Sequence, residues 1–174
     1  MTNFNFIKIA TFALLFTLVS CGKSLDIAWL LSQGLKVTGI ELNEPAIQQL
    51  FDQLQLTPKV TNLGRLKLYQ ANNIDIFVGD VFALTAELLG AVDAIYDRAA
   101  LVALPSTMRS DYCQHVMAIS RYAKQLLICF DYCQSKLQGP PFAINDAEVA
   151  EHFSPHYQLQ KIDSINVEGG MKGQ

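Results

Sequence analysis

Residues 36–54 read KVTGIELNEPAIQQLFDQL and contain one complete strand-to-helix transition. Lys36–Glu41 is a short run with β-branched residues, which is typical of a strand. Asn43 is a suitable N-cap, and Pro45 fits the first turn of a helix whose apolar residues recur at helical spacing. The stretch therefore predicts a buried strand followed at once by an amphipathic helix.

The same alternation continues on both sides of this stretch. The spacing of apolar residues predicts helices over 24–33, 86–89, 107–122 and 146–153, and strands over 74–78, 92–96, 125–130 and 157–162. Alternating strands and helices predict an α/β fold, a doubly wound and mostly parallel sheet with helices on both faces. In such a sheet, ligands bind beyond the carboxyl ends of the strands.

Composition narrows the classes of protein. With 174 residues the chain is predicted to form one domain, 1–174, divided into residues 1–20, a core over 21–163 and a tail over 164–174. Because 51% of the residues are hydrophobic and only 17% are charged, a disordered protein is excluded. Thirteen basic residues against 16 acidic ones, a net charge of −3, give no excess of basic residues and so disfavour a nucleic-acid partner without excluding one.

Two interpretations of residues 1–20 remain open. The uncharged run over 9–22 is too short to cross a bilayer, but it suits the apolar region of a signal peptide. Leu18-Val19-Ser20-Cys21 resembles a bacterial lipoprotein cleavage site, with Cys21 as the lipid anchor. An apolar run that ends at Gly22 is equally typical of an aberrant but buried first strand.

Three strand ends carry residues suited to a nucleoside cofactor. Gly22 ends the first apolar run, Glu41 ends the second strand and Asp80 follows the third. A carboxylate at the second strand end can accept both ribose hydroxyls, although each of these residues also suits an ordinary turn or cap. Thr17 stands where a phosphate-binding loop needs glycine, which excludes a nucleoside triphosphatase, and the absence of GxGxxG favours S-adenosylmethionine over NAD.

Five segments resemble one family in the correct order. They are Cys21-Gly22-Lys23-Ser24-Leu25-Asp26 with Trp29-Leu30, Val37-Thr38-Gly39-Ile40-Glu41-Leu42, Gly79-Asp80-Val81-Phe82-Ala83-Leu84, Tyr96-Asp97-Arg98-Ala99-Ala100-Leu101 and Gly139-Pro140-Pro141-Phe142. Together they closely resemble the bacterial thiopurine S-methyltransferase family across roughly residues 20–163. The resemblance implies a class I methyltransferase fold that uses S-adenosylmethionine as its cofactor.

The resemblance also implies which residues form the site. The cofactor-binding residues are expected to be Ser20, Cys21, Gly22, Glu41, Asp80, Val81 and Arg98. Within this set, Glu41 is expected to hold the ribose hydroxyls, and Asp80 and Val81 are expected to flank the adenine. Arg98 is expected to lie between cofactor and acceptor, where its charge positions the acceptor or stabilises a thiolate. An ion pair with Asp93 or Asp97 is the structural alternative for Arg98.

The implied partner is a small-molecule thiol on an aromatic or heterocyclic ring, and bacterial members are also associated with selenium and tellurium compounds. No metal, nucleic acid or membrane is expected, and the chain is predicted to be cytoplasmic.

Against the family's pattern the chain is expected to be truncated at both ends, without a segment that closes over the site and without the last strands. Two alternatives stay open: a non-catalytic remnant that binds nucleoside or a partner, and a lipid-anchored protein processed at Cys21.

Overall fold

The computed structural model describes residues 13–17 and 25–166. Its strands are β1 (Ala13–Thr17), β2 (Lys36–Glu41), β3 (Lys59–Leu63), β4 (Leu66–Ala71), β5 (Ile74–Val78), β6 (Ala94–Arg98) and β7 (Lys124–Ile128). Its helices are α1 (Leu25–Ser32), α2 (Glu44–Gln53), α3 (Ala86–Leu89), α4 (Ser106–Ile119) and α5 (Asp146–Phe153). Short 3-10 turns follow β5, β6 and β7.

Within the described residues, all seven strands form one sheet in the order β3-β4-β5-β2-β1-β6-β7. The pairs β1–β2, β1–β6, β2–β5 and β6–β7 are parallel. A hairpin of β3 and β4 adds two antiparallel pairs beside β5. Strand order therefore reverses on the two sides of β1, which confirms the doubly wound α/β fold and places the ligand crevice at the carboxyl edge beside β1.

The core forms on both faces of the sheet, because nearly every residue of β2 and β5 is buried and helices cover both faces. One cluster joins α1 and α2 to the sheet through Ile27, Leu30, Ile47, Phe51 and Ile76. The other joins α3, α4 and α5 to it and contains Leu89, Ile95, Val116, Met117 and Phe153. Both clusters hold the helices that begin at the carboxyl edge of the sheet.

The apolar start of the chain contributes a strand at the centre of the sheet. β1 pairs with β2 from Ala13↔Lys36 to Thr17↔Ile40, and with β6 on its other side. Processing before Cys21 would remove this strand and separate β2 from β6. The fold therefore contains a strand over 13–17, within the apolar run, while the rest of residues 1–20 and Cys21 lie outside the described residues.

Three expectations about the elements were wrong. The β3–β4 hairpin was not predicted, and residues 157–162, predicted as a strand, have no regular secondary structure. In α1 the spacing of the apolar residues predicts a buried face of Leu25, Ala28, Trp29 and Leu31, but the helix buries Ile27 and Leu30 and leaves Leu25 and Trp29 exposed. The reason is that Ile27 and Leu30 share a helix face three residues apart, and this face is the one turned to the sheet.

Candidate functional site

The carboxyl ends of neighbouring strands bring the predicted residues to one edge. Glu41 is the last residue of β2 and pairs across to Val78 at the end of β5. The Gly79 N–H donates to the carbonyl oxygen of Glu41 at 2.9 Å, so the two strand-end loops are joined directly. On the other side of β1, Thr17 pairs with Asp97, which precedes Arg98.

Glu41 is held in a buried position. Only 4% of the residue is exposed, and its Oε1 accepts a hydrogen bond from the Asn43 N–H at 2.8 Å. This contact fixes the carboxylate relative to the start of α2. A buried, oriented carboxylate at the end of the second strand suits recognition of vicinal hydroxyls, because a carboxylate only accepts hydrogen bonds and hydroxyls donate them.

Leu42 follows Glu41 and was not among the predicted site residues. Its side chain is 75% exposed, although an isolated leucine is common enough on a surface. Its place is informative because it lies between the buried Glu41 and the first turn of α2, at the edge where ligands bind in this fold. The sequence contained a signal for Leu42, since an apolar residue directly after the end of a buried strand lies where a ligand can cover it.

Asp80 and Val81 begin the loop after β5. The Asp80 Oδ1 accepts from the Phe82 N–H at 3.0 Å and caps the short turn Val81–Ala83. The carbonyl oxygen of Val81 lies 2.9 Å from Nε2 of His115 on α4. Asp80 thus has the capping role that the sequence left open as its structural interpretation, and this role also fixes the direction of its half-exposed carboxylate.

Gly79 is required where it stands. Its φ is 141°, and a Cβ there would lie 2.7 Å from Cδ2 of Leu66 and 2.9 Å from the carbonyl oxygen of Arg65. The backbone of the β3–β4 turn therefore packs directly onto the loop that carries Asp80. Arg65 also approaches Asp80, with 3.9 Å between Nη2 and Oδ2. The hairpin that was not predicted supports this side of the site.

Arg98 ends β6 and forms an ion pair with Asp26, in the first turn of α1. The Tyr96 hydroxyl donates to Oδ2 of the same carboxylate at 3.2 Å. Burial and the charge of Asp26 raise the pKa of Tyr96, so its hydroxyl stays protonated. Neither Asp26 nor Tyr96 was predicted as a site residue, because the contact joins residues far apart in sequence.

Asp97 turns the opposite way and is buried completely. Its Oδ2 accepts from the Tyr112 hydroxyl at 2.9 Å, and its Oδ1 accepts from the Leu101 N–H at 3.4 Å. These contacts anchor the loop after β6, in which Ala99 has a φ of 71°, a conformation uncommon for a residue with a side chain. The loop that presents Arg98 is therefore fixed from inside the molecule.

Two thiols near Asp97, the buried Cys113 and the partly buried Cys129, are poor nucleophiles. Burial, with a contribution from the charge of Asp97, raises the pKa of Cys113 to about 12 and that of Cys129 to about 12. Both thiols stay protonated near neutral pH and are therefore unreactive, because the thiolate is the nucleophilic form. Both side chains pack in the core cluster on the α4 face of the sheet.

A pocket of about 600 Å³ opens beside this edge. Its walls come from the start of α4 and from the segment between β7 and α5, and they are Pro105, Ser106, Arg109, Asp131, Tyr132, Gln134, Gln138, Phe142, Ala143, Asn145 and Glu148. Arg109 organises the wall, because its guanidinium bonds Glu148 at 2.6 Å and lies 5.4 Å from the centre of the Phe142 ring. The pocket combines aromatic surface with amide and hydroxyl groups.

The described residues contain four of the seven predicted site residues. Glu41, Asp80, Val81 and Arg98 all lie at the carboxyl edge, whereas Ser20, Cys21 and Gly22 lie outside the described residues. Over the part of the chain that the structure describes, no cluster of three metal-ligating side chains occurs. In that same part, no helix has both the length and the apolar character to span a bilayer.

Strand order and strand-end residues define the class of protein: a doubly wound α/β protein of the class I methyltransferase type. A family model described as Thiopurine S-methyltransferase (TPMT) matches residues 10–170. The chain belongs to the thiopurine S-methyltransferase family and is an S-adenosylmethionine-dependent methyltransferase.

Individual relatives agree with this family. The chain is 50% identical over 153 residues to "Thiopurine S-methyltransferase" of Teredinibacter turnerae, covering 88% of this chain and 72% of the relative. It is 48% identical over 154 residues to the protein of the same name from Xanthobacter autotrophicus, with the same coverage. A "Probable thiopurine S-methyltransferase" of Yarrowia lipolytica is 43% identical over 148 residues, covering 84% of this chain and 70% of the relative.

Among solved structures, the N-terminal domain of EvdMO1 with SAH bound aligns with 60% of this chain and 37% of its own, at a TM-score of 0.44 and 17% identity. This likeness is too low to add to the family match.

Proposed function

We propose that the chain transfers the methyl group of S-adenosylmethionine to the thiol of an aromatic or heterocyclic ring, as in a thiopurine. The observation that carries the proposal is the placement of the buried Glu41 carboxylate and the Arg98 guanidinium at strand ends on either side of β1. One suits the cofactor's ribose, and the other suits an anionic acceptor. The names of the relatives support the thiol as acceptor.

The residues present fit the cofactor. Glu41 would accept the ribose hydroxyls, because its carboxylate is buried and already oriented by the Asn43 N–H. Asp80 and Val81 would flank the adenine from the neighbouring loop, and the exposed Leu42 would pack against the base. Ser20, Cys21 and Gly22 would supply backbone contacts from the loop after β1. When bound, S-adenosylmethionine supplies an electrophilic methyl group on a sulfonium sulfur.

Arg98 would hold the acceptor as its thiolate. A positive charge within a few ångströms favours the ionised form of a thiol and lowers its pKa. The thiol would release its proton to solvent before transfer, and its sulfur would form the new S–C bond as the sulfonium C–S bond breaks, with that electron pair kept by the thioether. Both charges disappear in this step, so the protein contributes mainly position and orientation.

The acceptor ring would lie on the β6–β7 side of the edge, because Glu41, Leu42 and Asp80 assign the β2–β5 side to the nucleoside. The 600 Å³ pocket lies on that side. Its aromatic walls suit a flat ring, and the amide groups of Gln138 and Asn145 suit ring nitrogens. A selenol on the same ring should also be accepted.

We place the reaction in the cytoplasm because its methyl donor is a cytoplasmic metabolite.

A matched pair of acceptors tests this function. We expect a methylated product, seen by mass spectrometry with a deuterated methyl donor, from a mercaptopurine and none from the corresponding hydroxypurine. Changing Arg98→Ala should lower the rate with the thiol by about 100-fold, the scale for losing a positioning and charge-stabilising group. Equal rates for the thiol and the hydroxyl compound would refute the thiol assignment, and an unchanged rate in R98A would refute the role of Arg98.

A further inference from the structure

Arg98 has a long side chain, about half of which is exposed. Ordering an arginine costs side-chain entropy, so an exposed guanidinium acts on an acceptor efficiently only if another group holds it. The ion pair with Asp26 is such a contact, and it joins residues 72 positions apart in sequence.

Asp26 is itself held in place by two features of the structure. It lies in the first turn of α1, next to the completely buried Ile27, so the helix cannot rotate without exposing the core. In addition, Tyr96 on β6 donates its hydroxyl to the Oδ2 atom that receives the Arg98 guanidinium. The carboxylate is thus held from β6 as well as from α1.

The chemistry of arginine allows this contact and an acceptor contact together. A guanidinium carries five N–H donors in one plane, so binding one carboxylate does not exhaust it. A carboxylate on one edge of the plane also determines which way the remaining edge points. Asp26 can therefore aim the guanidinium without touching the reacting atoms.

Resting on the proposed function, we propose that Asp26, supported by Tyr96, is the positioning residue that orients Arg98 toward the acceptor thiolate. Asp26 acts through Arg98 and contacts neither the cofactor nor the acceptor. Its loss should therefore lower kcat, whereas the KM for the acceptor should not rise, because removing a nearby anion does not weaken attraction of a thiolate to Arg98.

The test is a double-mutant cycle on the full chain with a mercaptopurine as acceptor. We expect Asp26→Asn to lower kcat by about tenfold, within the range for a misplaced catalytic group. Asp26→Glu should restore part of this loss, and Tyr96→Phe should give a smaller decrease. In the Arg98→Ala background, Asp26→Asn should have no further effect, because the group that it positions is gone.

Asp146→Asn is the matched control, since Asp146 lies in the first turn of α5 and forms an ion pair with Lys161 at 2.8 Å. This variant should keep the parent kcat, and thermal melts of all variants separate lost fold from lost orientation. Independent losses in the double variant would overturn the proposal, as would a higher dissociation constant for S-adenosylhomocysteine in D26N, which would indicate direct cofactor contact. If R98A alone keeps full activity, the proposed role of Arg98 fails first, and the role of Asp26 with it.

Discussion

Individual residues at the carboxyl edge are held in place by contacts within the chain. Glu41 is bonded by the Asn43 amide, Asp80 by the Phe82 amide and Arg98 by Asp26. Groups that are ordered before a ligand arrives lose less entropy when it binds, so affinity per contact is higher. The capping role of Asp80 is thus compatible with a ligand role, because the same hydrogen bond that closes the turn also orients the carboxylate.

Leu42 gives a prediction at this scale. Leu42→Ala should weaken S-adenosylhomocysteine binding by about three- to tenfold, because packing of a leucine side chain on a base buries apolar area worth roughly 1 kcal/mol. Calorimetric titration measures the change. Leu88→Ala, which shortens an exposed leucine on α3, should bind with the parent affinity. Equal affinities for L42A and L88A would exclude Leu42 from the adenine site.

At the scale of elements, the N-terminus of α2 is tied to the hairpin. Lys67 on β4 donates to both carboxylate oxygens of Glu44 at 2.8 and 2.7 Å, and the Tyr69 hydroxyl donates to Oε1 at 2.6 Å. These bonds connect the helix that follows Glu41 to the strands that support Asp80. They also lower the pKa of Glu44 below its usual 4.5.

The pH dependence of stability follows from this lowered pKa. A carboxyl whose pKa is lower in the folded state contributes stability above its unfolded pKa, and this contribution is lost as the pH falls through the folded pKa. We expect the melting temperature of the parent to fall more steeply than that of Glu44→Gln below about pH 4.5, with a constant difference from pH 5 to 8. The exposed Glu151→Gln should follow the parent curve, and parallel curves for E44Q and the parent would show that ionisation of Glu44 adds no stability to the fold.

The sequence predicted those elements whose ends carry strong local signals. β2, β5, α3 and α5 begin and end where predicted, because Gly90, Asn145 and similar residues mark their limits. The β3–β4 hairpin was not predicted although Gly64 lies in its turn, since β3 has no buried residue and the hairpin joins the sheet only through the pairing of β4 with β5. Residues 157–162 show the converse: their alternating pattern suits a strand, but a strand also needs a neighbour.

The same contrast between local sequence signals and contacts between distant residues applies to the candidate site. The position of Glu41, Asp80, Val81 and Arg98 at this edge could be predicted, because each lies at or just after a strand end and parallel strands bring their ends together. Their roles stay predictions. Asp26 and Tyr96 could not be predicted in their present role. Their contact with Arg98 depends on the rotation of α1 against the sheet, which the burial of Ile27 and Leu30 determines.

In the whole molecule, the strand order β5-β2-β1-β6-β7 determines which residues lie on each side of β1 at the carboxyl edge. The β2–β5 side carries the residues proposed for the nucleoside, and the β6–β7 side carries Arg98 and the pocket. The methyl group is then expected to lie near the end of β1, where both sides meet. This arrangement depends first on the cofactor binding at Glu41.

Titration of S-adenosylhomocysteine into the parent chain and into Glu41→Gln at pH 7 tests that point most directly. Hydrogen bonds to a charged group contribute about 1.5–3 kcal/mol, so we expect saturable one-to-one binding by the parent and an affinity roughly 10- to 100-fold weaker in E41Q. Glu44→Gln, three residues away, should bind as the parent does. An E41Q affinity equal to that of the parent, or no binding by the folded parent, would contradict the placement of the cofactor at this edge of the sheet.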